Sequence, residues 1–269
     1  VDPAFDSLYP GRADWSALPF ADNSNFELPG AFFNHIVGDR SFRGVGGMSG
    51  EHAYTEIVEG VAWSGTSSLH PVVIQAVPEA TDSNMTRVQW EYALLPDHGL
   101  ERGYAGFRLR LQPNVAATMA DNGPGAWQKL FQLRERFGGC EPETMYEVAV
   151  ELTYDADRGL RFWTHRGTRY CMGDTYDGSE TSSQLVPTDG AWHHYEFFWD
   201  RDQGLFRWKL DGDVVVDWVG VRMKVAGPMQ KLKPIYMYVS EPWQGDATRQ
   251  TVERWYDDFF LCDDMPVGF

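Results

Sequence analysis

Two short stretches hold the residues best suited to chemistry. In "WQKLFQLRERFGG", starting at Trp127, strand alternation puts Leu130, Gln132 and Arg134 on one face and Lys129, Phe131 and Leu133 on the other. A polar pair on a face otherwise expected to be core needs a reason. Arg134 can hold a carboxylate in a fork, and Gln132 can donate to the same group. In "GLRFWTHRG", starting at Gly159, Arg161, Trp163 and His165 share a face, opposite Leu160, Phe162 and Thr164. An indole stacks on the CH groups of a sugar ring, a guanidinium holds an anion, and an imidazole exchanges protons near neutral pH. Lys129, Arg161 and Trp163 are therefore candidate binding residues, and Gln132, Arg134 and His165 candidate catalytic ones.

Such residues need a frame, and the frame reads as all-β. Helical periodicity is almost absent. Runs of five to nine residues bounded by Gly, Pro, Asn or Asp recur instead: "EHAYTEIVEGVAW", "SSLHPVVIQAV", "TRVQWEYALL", "GYAGFRLRLQ", "AWQKLFQLRERF", "TMYEVAVELTYD", "GLRFWTHRG", "WHHYEFFWDRD", "GLFRWKLDG", "DVVVDWVGV", "KPIYMYVSE" and "ERWYDDFFLC". A dozen strands suit two packed sheets of five to seven each. Asp211-Gly212 between two alternating runs predicts a tight type I′ hairpin. Residues 1–24 lack any period and read as an irregular arm ahead of a single domain over 25–269; "GDTYDGSETSSQLVPTDG", 173–190, is the longest loop signal.

The chain has 269 residues, 43% of them hydrophobic, enough for a sizeable core, and its formal net charge is −16. That charge argues against nucleic acid and against an anionic membrane surface as partners, and no apolar run is long enough to span a bilayer. Within 129–169 seven basic residues balance seven acidic ones, so a negatively charged ligand can be admitted there. Starting at Val1 without a basic-then-apolar leader suits a mature secreted or extracellular chain, a periplasmic one included. Of three cysteines, Cys140 and Cys171 can close a disulfide loop with Cys262 left over; three unpaired buried thiols are the alternative. Asn84-Met85-Thr86 is a glycosylation sequon. Oligomeric state cannot be read.

Four segments, "NSNFELPG", "GVAWSGTSSLH", "WHHYEFFWDRDQGLFRWKLDGDVVVDW" and "ERWYDDFFL", resemble the concanavalin-A-like jelly-roll sandwiches of carbohydrate-active proteins. The strongest part is a Trp, an acidic strand, a short turn and an aromatic strand closing on Asp-Gly. This resemblance implies a β-jelly-roll of two antiparallel sheets. Size and the Gln132 strand are most similar to the jelly-roll polysaccharide lyases of the alginate, glucuronan and heparin type. Those carry Gln and His on one strand and Tyr on a neighbour; here Arg134 stands where the His is expected, and "KPIYMYVSEPW" offers Tyr236 for binding and Tyr238 as acid or base.

The resemblance implies cleavage of a uronate-containing polysaccharide by β-elimination, which needs a neutralised C5 carboxylate, a base and an acid, and no catalytic metal. It also implies a structural calcium, held by Glu27 and by Asp257 of "YDDF". Two other readings stay open. One is a lectin stacking sugars on Trp163, Trp199, Trp208 and Trp243; the other is a glycoside hydrolase. The Glu-x-Asp-x-x-Glu signature of retaining glucanases is absent, so no single strand is expected to supply a glycosidase carboxylate pair.

Overall fold

The computed structural model describes residues 21–24, 36–37, 40–45, 53–73, 87–93, 101–121, 127–136, 145–170, 173–224, 229–238 and 251–262. The described strands, in chain order, are β1 (Ala21–Ser24), β2 (Ile36–Val37), β3 (Arg40–Val45), β4 (Ala53–Glu59), β5 (Ser67–Val73), β6 (Arg87–Ala93) and β7 (Arg102–Leu111). After the short helix α1 (Val115–Asp121) come β8 (Trp127–Arg136), β9 (Met145–Asp155), β10 (Gly159–Tyr170), β11 (Gly173–Leu185) and β12 (Trp192–Asp200). The chain continues through β13 (Leu205–Leu210), β14 (Asp213–Trp218), β15 (Met229–Tyr238) and β16 (Val252–Cys262).

They pair into two antiparallel sheets. The front sheet runs β11-β10-β9-β8-β15-β6-β3-β2, and the back sheet β14-β13-β12-β7-β16-β5-β4, with β1 added on β16. Each has eight strands rather than five to seven. All twelve expected strands are present. On β12, Tyr195, Phe197 and Trp199 point inward; on β9, Tyr146, Val148, Val150 and Leu152 do the same. Between the layers Phe131 of the front sheet stacks on Phe197 of the back sheet at 4.1 Å, and the indole N–H of Trp208 donates to Thr164 at 3.0 Å. Each fully buried aromatic contributes about 1.5–3 kcal/mol of hydrophobic stabilisation. Stacked across the gap, these rings also fix β8 over β12.

The Asp211-Gly212 turn has φ of 53° and 86°, both positive as a type I′ hairpin requires. Three features differ from expectation. Residues 173–185, expected as loop, form β11. As an edge strand β11 has one neighbour, and its Ser, Thr, Asp and Gly content suits an exposed edge while erasing the apolar period. The last four residues of the expected arm are β1. A helix of about two turns, α1, tucks Val115 and Met119 into the core. Cys140 and Cys171 lie outside the described residues, as do Asn84 and Trp243. No helix among the described residues is long and apolar enough to cross a membrane.

Candidate functional site

Facing strands of an antiparallel sheet put paired residues on the same side. Three such rows cross the outward face of the front sheet. Lys233, Gln132, Ala149, His165 and Ser179 make one; Lys129, Glu151, Trp163 and Thr181 the next; Lys231, Arg134, Glu147, Gly167 and Tyr176 the third.

Lys129 was expected on the opposite face from Gln132. A bulge overturns that: Lys129 pairs with Glu151 and Phe131 with the next residue, Val150, so Leu130 is the extra residue. Leu130 turns into the core, fully buried, and Lys129 joins Gln132 on the outward side. The apolar Leu130 is thus a core residue and no member of the Gln132–Arg134 face.

Lys129 does not reach solvent. Its ammonium lies between two carboxylates, 3.1 Å from Glu147 Oε1 and in close contact with Glu151 Oε1. All three are buried. Gln132 Nε2 donates to the other oxygen of Glu147. Because a carboxylate only accepts, the amide nitrogen must face it, leaving Gln132 Oε1, which has no hydrogen-bond partner among the described residues. Gln132 is therefore an acceptor here, and the expected donation to a substrate carboxylate falls to Arg134. His165 Nε2 bonds Glu151 Oε1 at 2.9 Å; facing a carboxylate it is the donor, and in the neutral ring Nδ1 then carries the lone pair. Among the described residues Nδ1 has no partner either. Two buried acceptors without a donor among the described residues thus flank Ala149, the smallest side chain of their row.

Burial pushes the Glu151 carboxyl up, but the Lys129 charge and the bonds from His165 and Lys129 outweigh it and hold Glu151 below the usual carboxylate range. Trp163 stacks on the His165 ring at 4.3 Å, and Tyr176 meets both rings edge-on at 5.3 and 5.0 Å. Trp163 is half-buried and Tyr176 is 46% exposed, so these aromatics form the solvent side of the cluster. Arg134 and Arg161 are partly exposed, and Arg161 Nε donates to Arg158 O within its own hairpin. The backbone positions of Tyr236 and Tyr238 pair with Gln89 and Arg87. A register shift around Pro234 brings both positions to the Gln132 face; their side chains lie outside the described residues.

Sequence reasoning passed over Glu147, Glu151 and Tyr176. The signal for the two acids was present: in "YEVAVEL" Val148 and Val150 face the core, which places Glu147, Ala149 and Glu151 together on the other side. The two carboxylates of β9 are joined by Lys129 and do not make the free pair of a glycosidase.

Backbone register gathers many charged positions on the same face. By register its positions include Arg43, Arg87, Lys129, Arg134, Arg136, Arg161, Arg169, Lys231 and Lys233, nine basic residues. The acidic positions are Glu91, Glu147, Glu151, Asp155 and Asp174, five in all. A net +4 on one face stands out in a chain of net −16.

The expected calcium ligand Asp257 lies on the back sheet, and Glu27 lies outside the described residues. Asp257 Oδ2 accepts the N–H groups of Trp63 at 2.7 Å and Ser64 at 3.0 Å, and Oδ1 accepts that of Asp258 at 2.7 Å. Burial, only partly opposed by these donors, pushes its pKa up to about 6. Three inward-pointing hydrogens suit a loop anchor and do not fit a cation ligand. Of the Trp platforms expected for a lectin, Trp199 and Trp208 are fully buried core residues.

No family model matches the chain, and no curated protein matches it in sequence. Solved structures do match. An endo-β-1,4-glucuronan lyase from the fungus Trichoderma reesei is similar with a TM-score of 0.58 at 16% identity, over 82% of this chain and 94% of that one. A mutant of alginate lyase Aly36B in complex with alginate trisaccharide gives 0.53 at 12%, over 93% and 100%. A family 16 glycoside hydrolase from Bacteroides ovatus, in complex with a mixed-linkage glucan product, gives 0.53 at 10%, over 89% and 98%. At these identities the likeness concerns architecture: the chain is a concanavalin-A-like jelly-roll, of the kind shared by jelly-roll polysaccharide lyases and family 16 hydrolases.

Proposed function

We propose that the protein is a secreted polysaccharide lyase that cleaves a uronate-containing chain on the outward face of its front sheet. The observation that carries this reading is the Gln132–Ala149–His165 row, with two acceptors that have no donor among the described residues either side of a methyl group, on a face rich in basic positions by register. Sugar hydroxyls are donors that satisfy such acceptors, and a polyuronate is drawn to the surrounding cations.

In the reaction Arg134, aided by Lys231 and Lys233, neutralises the C5 carboxylate. His165 Nδ1 removes the C5 proton, while Glu151 on Nε2 stabilises the imidazolium that forms. The electron pair forms the C4=C5 double bond as the C4–O4 bond breaks, and Tyr238 delivers a proton to O4. Trp163, Tyr176, Arg161 and Tyr236 hold the flanking sugars. The glycoside-hydrolase reading is weaker, because Lys129 joins the two carboxylates of β9 and Glu151 is held ionised, leaving no evident protonated acid.

A panel of alginate, glucuronan and heparin-type polymers, assayed for ultraviolet absorbance of the unsaturated product, tests the proposal. We expect product from one polymer and a loss of at least about a hundredfold in His165→Asn. Binding without product returns the lectin reading. Reducing ends without unsaturation return the hydrolase.

A further inference from the structure

The front-face cluster depends on one bulge, and that bulge is held from the other side of the sandwich. Arg254, on β16 of the back sheet, is completely buried. Its guanidinium crosses the core to the bulge, where Nη1 donates to the carbonyl of Lys129 at 2.9 Å and Nη2 to Gln128 Oε1 at 2.8 Å. Gln128 is itself fixed from α1, its Nε2 lying 2.9 Å from Met119 Sδ. Lys129 and Gln128 are the two residues that precede the inserted Leu130, so the planar fork grips the strand just where its phase changes.

We infer that Arg254 is a positioning residue for the candidate active site: it holds the β8 bulge that puts Lys129 and Gln132 on one face. If the bulge relaxes, period-two alternation turns Lys129 toward the core while Gln132 stays, and Glu147 and Glu151 lose the ammonium between them. His165 then loses the fixed partner on Nε2. The inference rests on the proposed lyase reading only for its catalytic consequence; the geometric part stands without it.

Arg254→Lys keeps the charge but cannot grip both acceptors in a fork. Two measurements need no substrate. The buried Lys129 ammonium, held between two carboxylates, gives a slowly exchanging side-chain 15N signal in the wild type, which Arg254→Lys loses. Backbone hydrogen exchange at 128–132 speeds up at least tenfold in the variant, while β12 and β13 keep their protection. With the polymer cleaved by the wild type, kcat falls at least tenfold. Should Arg254→Lys fail to fold, Gln128→Met removes one of the two anchors and offers the same comparison. Unchanged exchange at 128–132 with the Lys129 signal intact overturns the inference, as does exchange that rises equally in every strand, which marks Arg254 as a general core prop. Absence of product from the wild type counts against the lyase reading alone, since the exchange and 15N results do not depend on it.

Discussion

His165 and Lys129 compete for Glu151, and this shared carboxylate decides what the cluster can do. When His165 takes a proton from substrate, the Glu151 carboxylate on its Nε2 stabilises the imidazolium where it forms. The arrangement also makes a stability prediction. Glu151 titrates below its ordinary value in the folded protein, so its ionised form favours folding above the unfolded carboxyl value of about 4.5, and that contribution is lost as pH falls through the lower folded value. Breaking a buried ionic network by removing one partner costs about 3–5 kcal/mol. Glu151→Gln should therefore lower the melting temperature clearly at pH 7. The gap from wild type should narrow as pH is taken from 5 to 3. A gap that holds constant to pH 3 means the carboxylate charge is not what the network uses.

Among elements, the β13–β14 hairpin is tied to its neighbours by a titrating latch. Asp211 accepts the backbone N–H of His194 at 2.8 Å and bonds His193 Nδ1 at 2.6 Å, while His193 Nε2 meets Asp189 at 3.1 Å. Burial pulls His193 down, but the two aspartates outweigh it and raise its pKa above the usual 6.5. The stabilisation is complete below the unfolded value and lost as pH rises through the folded one. His193→Gln should thus lower the melting temperature more at pH 6 than at pH 9, as scanning calorimetry at the two pH values will show; equal losses sink the latch. Elements also set what could be read in advance. Strands with an apolar row facing the core, such as β9 and β12, announce themselves by alternation, and the Asp211-Gly212 turn by its residue types. Edge strand β11 has no buried period to show. Bulges are silent as well: Leu130 looks like an ordinary apolar alternation, yet it moves Lys129 across the sheet, and the shift around Pro234 re-phases Tyr236 and Tyr238. For this reason the Gln132–Arg134 face and the Trp163–His165 face were each legible within its own strand, while their convergence, the place of Lys129 and the partnership of Glu147 with Glu151 were not.

At the scale of the molecule, backbone register gathers basic positions on one face. Nine basic positions against five acidic lie on the outward front face, so everything else is more negative than the net −16 of the chain. A surplus of basic positions on one face draws a polyanion there, which orients the chain before any specific contact forms. A neutral glucan feels none of this and depends on stacking at Trp163 and Tyr176. Between about 0.1 M and 1 M salt the screening length drops from about 10 Å to about 3 Å. Polyuronate affinity, followed by affinity electrophoresis on a catalytically dead His165→Asn protein, should fall at least tenfold over that range, and affinity for a neutral β-glucan should hardly move. Lys231→Glu with Lys233→Glu should weaken the polyuronate at 0.1 M salt and leave the neutral chain as it was. Polyuronate binding that ignores salt, or a preference for the neutral polymer that survives the charge reversal, shows that the cations of this face serve the sheet and not a ligand.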